Sequence, residues 1–178
     1  MMMTAAAMVR MIESRDHRLM HRVHRWLAPR WIRIWMVAAT RGGDGWLWYA
    51  LGVVLLGFGG QQGREATWEA TAAVGSGVAL FIWLKKRTKR RRPCAIAPHC
   101  WSTLLPPDQF SFPSGHTITA FSVAVPVMNH VPEAAAGVLF CALSVAASRV
   151  LLGMHFLSDV LAGAVIGCLL GAIAGLVI

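Results

Sequence analysis

Long apolar runs constrain the fold of this chain more than any other feature of its sequence. Charged residues make up 14% of the 178 residues and hydrophobic residues 56%, whereas a soluble domain carries about 25% charged residues. A helix that crosses a bilayer needs about 20 mainly apolar residues. The runs therefore predict an all-α, polytopic membrane helix bundle with about five spanning helices, at approximately residues 46–60, 68–84, 114–131, 133–153 and 155–178.

The segments between these runs are predicted to be loops, notably the polar segment 61–67 and the basic, proline-containing segment 85–113. The last run carries a regular series of glycines, at positions 163, 167, 171 and 175. Spacing of four residues keeps small residues near one helix face, which allows a neighbouring helix to approach closely. We therefore expect the last helix to pack inward along this stripe.

The N-terminal segment has a different pattern, because basic and apolar residues alternate through residues 8–41. Trp26, Trp31 and Trp35 lie among the arginines, and no stretch of about 20 apolar residues fits there. Pro29 marks a break. The pattern predicts interfacial amphipathic helices over 1–43, followed by a transmembrane catalytic domain over 44–178. It does not fit a cleavable signal peptide, which has an uninterrupted apolar core.

The formal net charge of +9 is concentrated in two clusters. Eight arginines lie between Arg10 and Arg41, and seven basic residues lie between Lys85 and Arg92. Such clusters are typical of contact with membrane lipids and of topology signals. Nucleic acid is not an expected partner of so apolar a chain.

With five spans, both basic clusters lie on one side of the membrane and the opposite loops hold only Arg64. The positive-inside rule then predicts a multi-pass protein of the cell (inner) membrane whose basic side faces the cytoplasm. Some of these cations would be needed for the chemistry of the candidate site, which weakens their use as topology signals. The N-terminal arginines lie outside the candidate site and still support the prediction. Cys94 and Cys100 share a loop and could form a disulfide in an oxidising compartment. We expect both to be free.

Three clusters of polar residues carry candidate chemistry: KKRTKRRRP at 85–93, FPSGHT at 112–117 and SRVLLGMHFLSD at 148–159. His155 and Asp159 are four residues apart and would be neighbours on a helix. An aspartate beside a histidine can accept the ring N–H and fix the tautomer. The other ring nitrogen is then free to act as a base or nucleophile.

The second cluster predicts an anion site at a helix N-terminus. Ser114 follows a proline and stands at the N-cap position, with Gly115 beside it and His116 in the first turn. Basic residues from the other clusters, namely Lys85, Arg92 and Arg149, would complete a site for a phosphate dianion. No group of carboxylates or cysteines has credible ligand spacing, so neither a metal nor another cofactor is expected.

Together and in this order, the clusters resemble the signature of the type 2 phosphatidic acid phosphatases, the PAP2 superfamily. That signature reads K-x6-R-P, then P-S-G-H, then S-R-x5-H-x3-D. Every position has its counterpart here, in Lys85 and Arg92–Pro93, in 113–116, and in Ser148–Arg149, His155 and Asp159.

The resemblance implies a role for each residue. His155 would attack phosphorus and form a phosphohistidine, and Asp159 would orient and polarise it. His116 would protonate the departing lipid oxygen and then activate water. The phosphate oxygens would be held by Lys85, Arg92, Ser114, Gly115 and Arg149.

The implied function is hydrolysis of a terminal phosphate from a membrane lipid, without a metal. A polyprenyl phosphate or diphosphate, phosphatidylglycerol phosphate and phosphatidic acid are all open as substrates, and a homo-oligomer is possible. The alternative is a non-catalytic, polybasic lipid-binding membrane protein. The vanadium haloperoxidases have an anion site that resembles that of the PAP2 superfamily. They are soluble and much larger, so this chain is not expected to be one of them.

Overall fold

The structure is a computed structural model that describes residues 4–97 and 109–178. Their regular secondary structure is helical, apart from one isolated bridge between Arg91 and Phe110. The predicted all-α class is therefore confirmed. The helices are α1 (Ala5–His24), α2 (Arg30–Gly43), α3 (Trp46–Phe58), α4 (Gly60–Thr88), α5 (Pro93–Ile96), α6 (Gly115–His130), α7 (Ala135–Leu151) and α8 (Leu157–Val177). A 3-10 turn, Pro132–Ala134, precedes α7.

All five apolar runs form helices, but they differ in length. Among the described residues, three helices are long and apolar enough to cross a membrane: Gly60–Thr88, Pro132–Leu151 and Leu157–Val177. The other two are shorter, with 13 residues in α3 and 16 in α6. Glycines end α3, and Gly60 has a φ of 59° that favours glycine. Each of these two helices is shorter than the roughly 20 residues that a spanning helix needs, so the expectation that α3 and α6 also cross the membrane stays a prediction.

The predicted loop boundaries around α4 also need correction. The polar segment 61–67 is helical as part of α4, and the hydroxyls of Thr67 and Thr71 donate to the carbonyl oxygens four residues earlier at 2.7 Å. At its other end α4 continues through Thr88 and closes with Lys89 in the left-handed conformation. Lys85 therefore lies in the last turn of a helix and not in a loop.

The glycine stripe of α8 packs where the sequence predicts. A Cβ atom at Gly163 would lie 2.8 Å from the Ser114 carbonyl oxygen, and one at Gly167 would lie 2.5 Å from the Ile118 carbonyl oxygen. Backbone can approach backbone this closely only where both sides lack a bulky side chain. The stripe thus holds α8 against α6, and α4 packs on both of them.

The N-terminal segment forms two helices separated by residues 25–29, as Pro29 predicts. Each helix has one buried side, which carries Asp16 and Met20 in α1 and Met36 and Thr40 in α2. The first helix contacts α8 and the second packs on α7. An interfacial position for this segment stays a prediction.

Candidate active site

The three sequence clusters meet at one cavity of about 350 Å³. Six of the eight candidate residues line it: Lys85, Arg92, Gly115, His116, Arg149 and His155. The other two, Ser114 and Asp159, are fully buried, and the Ser114 amide donates to the Asp159 carbonyl oxygen at 3.1 Å. The structure therefore brings all eight into one site.

His155 lies in the connection between α7 and α8, not on a helix. The connection turns at Gly153, whose φ is 68°, and the His155 amide donates to the Arg149 carbonyl oxygen at 3.0 Å. Asp159 caps the start of α8 by accepting from the Phe156 amide at 2.8 Å. The expected helical pairing of His155 and Asp159 is therefore wrong.

The two ring nitrogens of His155 have distinct partners that fix its tautomer. Nδ1 lies 2.5 Å from the Ser111 carbonyl oxygen and 3.8 Å from Oδ2 of Asp159. Nε2 lies 3.1 Å from Nη1 of Arg92. A carbonyl can only accept and a guanidinium can only donate. Nδ1 therefore carries the proton, and Nε2 presents its lone pair.

Burial lowers the pKa of His155 to about 3, and the charges of Arg149 and Arg92 act in the same direction. A folded-state pKa below the ordinary 6.5 favours the neutral ring. His155 is consequently unprotonated at Nε2 throughout the neutral range, which is the form that a nucleophile requires.

Asp159 is held mainly by a cation that the signature does not contain. Its Oδ1 accepts from Nη1 of Arg90 at 2.6 Å. At 3.8 Å its other oxygen is too far from His155 for a hydrogen bond, but near enough to favour positive charge on the ring.

His116 also has a carboxylate partner. Its Nε2 lies 2.7 Å from Oδ1 of Asp44, which belongs to the connection between α2 and α3. The approach is close, because a Cβ atom at Gly43 would lie 3.3 Å from the His116 ring. The N-terminal helices thus bring both a glycine and a carboxylate to this histidine.

Three buried cations surround the cavity, with exposed fractions of 9% for Lys85, 2% for Arg92 and 4% for Arg149. Arg149 donates to the Thr40 hydroxyl, and Arg92 donates to the Met154 carbonyl oxygen at 2.9 Å. These contacts hold the guanidinium groups in place before any ligand arrives. Fixed cations around a small polar cavity suit a phosphate dianion.

Comparison with known proteins agrees with this geometry. The sequence profile of the PAP2 superfamily matches residues 66–177. The chain belongs to the PAP2 superfamily. It is therefore a membrane phosphatase, and the membrane-spanning helices agree with that class.

Relatives of this PAP2 protein include a decaprenylphosphoryl-5-phosphoribose phosphatase from Mycobacterium tuberculosis, 34% identical over 149 residues and 78% of each chain. Aquifex aeolicus LpxE superimposes with a TM-score of 0.75 at 25% identity, over 88% of this chain and 92% of that one. A PAP2-type phosphatidylglycerolphosphate phosphatase from Bacillus subtilis gives a TM-score of 0.74 at 26% identity, over 97% and 86%.

Sequence reasoning missed four contributors to this PAP2 site: Asp16, Asp44, Arg90 and the Ser111 carbonyl. Asp44 was visible only as part of a glycine-rich turn, and Arg90 only as one of several basic neighbours. A backbone carbonyl gives no signal in residue type. Asp16 is one of two acidic residues in the basic α1, and its residue type does not separate it from the exposed Glu13.

Asp44→Asn tests the partner of His116. We expect kcat to fall about tenfold with little change in KM, because an amide stabilises a protonated imidazole less than a carboxylate does. Phosphate release from the purified enzyme measures this effect. Glu13→Gln, a neutralisation on the exposed side of α1, is the control. Equal activity of Asp44→Asn and wild type would mean that the pair has no part in turnover.

Proposed function

We propose that this enzyme hydrolyses a lipid phosphate monoester through a phosphohistidine at His155. The observation that carries the proposal is the unprotonated Nε2 of a neutral, buried histidine, which faces Arg92 inside a cavity lined by cations. Phosphoryl transfer depends mainly on positioning and on stabilisation of charge. The arrangement around His155 supplies both.

In the first step Nε2 attacks phosphorus, an N–P bond forms and the bond to the lipid oxygen breaks. His116, whose protonated form is favoured by the Asp44 carboxylate and by the bound phosphate dianion, gives its proton to that oxygen. The His155 ring becomes positively charged, which the Ser111 carbonyl and the Asp159 carboxylate stabilise. Lys85, Arg92 and Arg149 hold the phosphate oxygens.

In the second step water attacks phosphorus and His116 takes one of its protons. The N–P bond then breaks and its electron pair returns to Nε2. Inorganic phosphate leaves, and the neutral ring and the protonated His116 are restored. Each histidine thus ends the cycle as it began.

For the substrate we propose a polyprenyl-linked phosphate. An apolar cavity of about 530 Å³ runs between α3 and α4 along α6, and it shares Gly45, Tyr49, Val74 and Thr119 with the catalytic cavity. From Thr119 to Val127 it follows α6 for about 12 Å. A hydrocarbon chain attached to the headgroup fits this groove, and the named substrate of the mycobacterial relative carries a decaprenyl chain.

A panel of pure lipids tests the substrate. It contains a polyprenylphosphoryl-5-phosphoribose, phosphatidylglycerol phosphate and phosphatidic acid, each assayed with excess chelator. We expect the first to give the highest kcat/KM. Preference for phosphatidylglycerol phosphate, the second candidate because of the Bacillus subtilis likeness, would contradict the polyprenyl proposal. Activity that needs added magnesium would contradict the metal-independent mechanism.

A matched pair of glycine substitutions tests the groove. Gly75 lines it, Gly137 lies outside it on α7, and a Cβ atom at either position meets nothing within 4 Å. Gly75→Leu should raise KM for the long-chain substrate about tenfold, because the leucine side chain fills part of the groove proposed to hold the hydrocarbon chain of the lipid. Gly137→Leu should leave KM unchanged. Equal effects of the two variants would show that the chain binds elsewhere.

The alternative of a non-catalytic lipid-binding protein has little support, because a complete set of candidate catalytic residues converges on one cavity. A lipid-binding protein has no need of a buried neutral histidine that faces three cations. Release of phosphate from a purified lipid would exclude this alternative.

We also propose that the site faces the cytoplasm of the cell membrane, as the charge distribution predicts. A protein whose only cysteine is Cys94, which adjoins the site through Gly153, should react with an impermeant maleimide only after the cells are permeabilised. The control is a protein whose only cysteine is Arg64→Cys, at the opposite end of α4. Labelling of Cys94 in intact cells would place the site outside. Cys100 lies outside the described residues, so its pairing stays a prediction.

A further inference from the structure

Arg90 lies at the junction of α1, the start of α8 and the connection that follows α4. Its Nη1 donates to Asp159 at 2.6 Å and to the Ser158 hydroxyl at 2.7 Å, and its Nη2 donates to Asp16 at 2.8 Å. The guanidinium carbon is 4.2 Å from the centre of the Phe156 ring. One side chain therefore contacts three positions of the α8 start and its cap, 156, 158 and 159.

Asp16 reaches this junction from the N-terminal helix. Its side chain is 5% exposed, although most of α1 is exposed around it. Oδ1 accepts from the Ser158 amide at 3.2 Å, and Oδ2 accepts from the Ser158 hydroxyl. Asp16 and Asp159 thus place two carboxylates at the N-terminus of α8, where the helix dipole favours negative charge.

The backbone of Arg90 contacts the other partner of His155. The Ser111 amide donates to the Arg90 carbonyl oxygen at 2.7 Å, and the Ser111 carbonyl in turn accepts from Nδ1 of His155. Arg90 therefore holds Asp159 with its side chain and Ser111 with its backbone. Both groups that face Nδ1 of His155 are fixed to one residue.

We propose that Arg90 and Asp16 are positioning residues for His155, so that the N-terminal helix α1 is part of the catalytic framework. Arg90 draws Asp159 back to 3.8 Å from Nδ1, which leaves the Ser111 carbonyl as the hydrogen-bond acceptor. Asp16 keeps Arg90 in place and ties Ser158 to α1. Neither residue belongs to the signature, and the proposal rests on the nucleophilic role proposed for His155.

Loss of Arg90 should disturb the ring because a buried carboxylate without its cation seeks another partner. Asp159 already accepts from the Phe156 amide at 2.8 Å, and a further donor within reach is Nδ1 of His155, 3.8 Å away. Asp159 would then compete with Ser111 for this N–H and turn the ring, which moves Nε2 away from the line of attack. The phosphate-binding cations would remain where they are, so binding and chemistry should separate.

The test compares Arg90→Gln, Arg90→Lys, Asp16→Asn and the double variant Arg90→Gln/Asp16→Asn in the full-length purified protein. The substrate is the panel lipid that the wild type hydrolyses fastest, and inorganic phosphate serves as the binding probe by competitive inhibition. Controls are Arg91→Gln, an exposed neighbour, and Glu13→Gln on α1. Unfolding in detergent is followed for every variant.

We expect Arg90→Gln to lower kcat about 100-fold and Asp16→Asn about tenfold, with KM and the phosphate inhibition constant within about threefold of wild type. Arg90→Lys should recover part of kcat. The double variant should be no slower than Arg90→Gln, because Asp16 acts through Arg90. Both controls should match wild type.

Three results would overturn the proposal. Wild-type kcat in Arg90→Gln would show that Asp159 needs no such anchor. Multiplied effects in the double variant would show that Asp16 acts independently. A lower unfolding temperature with unchanged kcat would show a role in stability alone. His155→Ala, run in parallel, separates this failure from failure of the proposed mechanism, since an active His155→Ala would refute the mechanism itself.

Discussion

His155→Ala should abolish phosphate release while the protein remains folded in detergent. We expect kcat to fall by about 10⁴-fold or more, because no other group can form the N–P bond and the remaining cations only bind the phosphate. Asp159→Asn should be weaker, at about 100-fold, since it removes charge that stabilises the ring but leaves the Ser111 acceptor in place. Both effects are measured as phosphate released from the preferred panel lipid.

The matched control for the nucleophile is His21→Ala, which removes an exposed histidine of α1. It should retain wild-type kcat. With substrate labelled in its phosphate group, rapid quenching without acid should leave label bound to the wild-type protein. The same treatment of His155→Ala should leave no label on the protein. More than a few per cent of wild-type activity in His155→Ala would be incompatible with the proposed mechanism.

Arg92→Lys should also lose most of its activity, although it keeps the charge. Nη1 of Arg92 donates to the Met154 carbonyl oxygen and contacts Nε2 of His155, and the side chain is only 2% exposed. A lysine has no planar fork with which to keep these contacts and also hold a phosphate oxygen. We expect a loss of about 100-fold in kcat/KM.

Two other members of the basic run serve as controls for Arg92→Lys. Arg87 and Lys89 are exposed, and Arg87 lies over the Trp83 ring at 5.5 Å. Arg87→Lys and Lys89→Arg should behave as wild type in the same assay. If all three positions tolerated exchange equally, bulk positive charge would explain the run and the specific grip of Arg92 would be disproved.

The sequence predicted which residues meet, but not how they are held. The signature residues converge because each lies at a helix end or in a connection next to one, and the apolar runs between them show where those ends fall. The apolar pattern of α8 continues back to His155 and therefore predicts that His155 lies on the helix. In the structure α8 begins only after its N-cap residue Phe156, whose backbone amide donates a hydrogen bond to the Asp159 carboxylate. Apolar periodicity carries no information about such a cap.

The partners of the catalytic candidates were harder to predict for two separate reasons. Arg90 has the same residue type as its neighbours, so only its position between two buried carboxylates distinguishes it. Asp16 and Asp44 are distant in sequence from the residues they contact. Contacts across 72 to 142 residues depend on how helices pack, and the pattern of one segment does not contain that information.

The sequence predicts the apolar character of α3 and α6, but not their length. Apolar composition measures transfer from water, and it does not separate residues that face lipid from residues that face protein. In α6, half of the 16 residues are buried in the bundle. A helix enclosed by α4, α7 and α8 can be apolar because it faces protein as well as because it faces lipid.

The glycine contacts between α6 and α8 have a consequence for how the enzyme tolerates different membranes. Gly163, Gly167 and Gly171 lie against α6 along three successive turns. A Cβ atom at any of them would lie 2.8 Å or less from an atom of α6 or of its cap residue Ser114. Helices in such contact cannot slide past each other, because a shift would bring larger residues against backbone. A thinner or thicker bilayer should therefore tilt α6 and α8 as one body. His116 and the residues around His155 would keep their separation, so hydrophobic mismatch would alter the angle at which lipid enters while the reacting geometry stays constant.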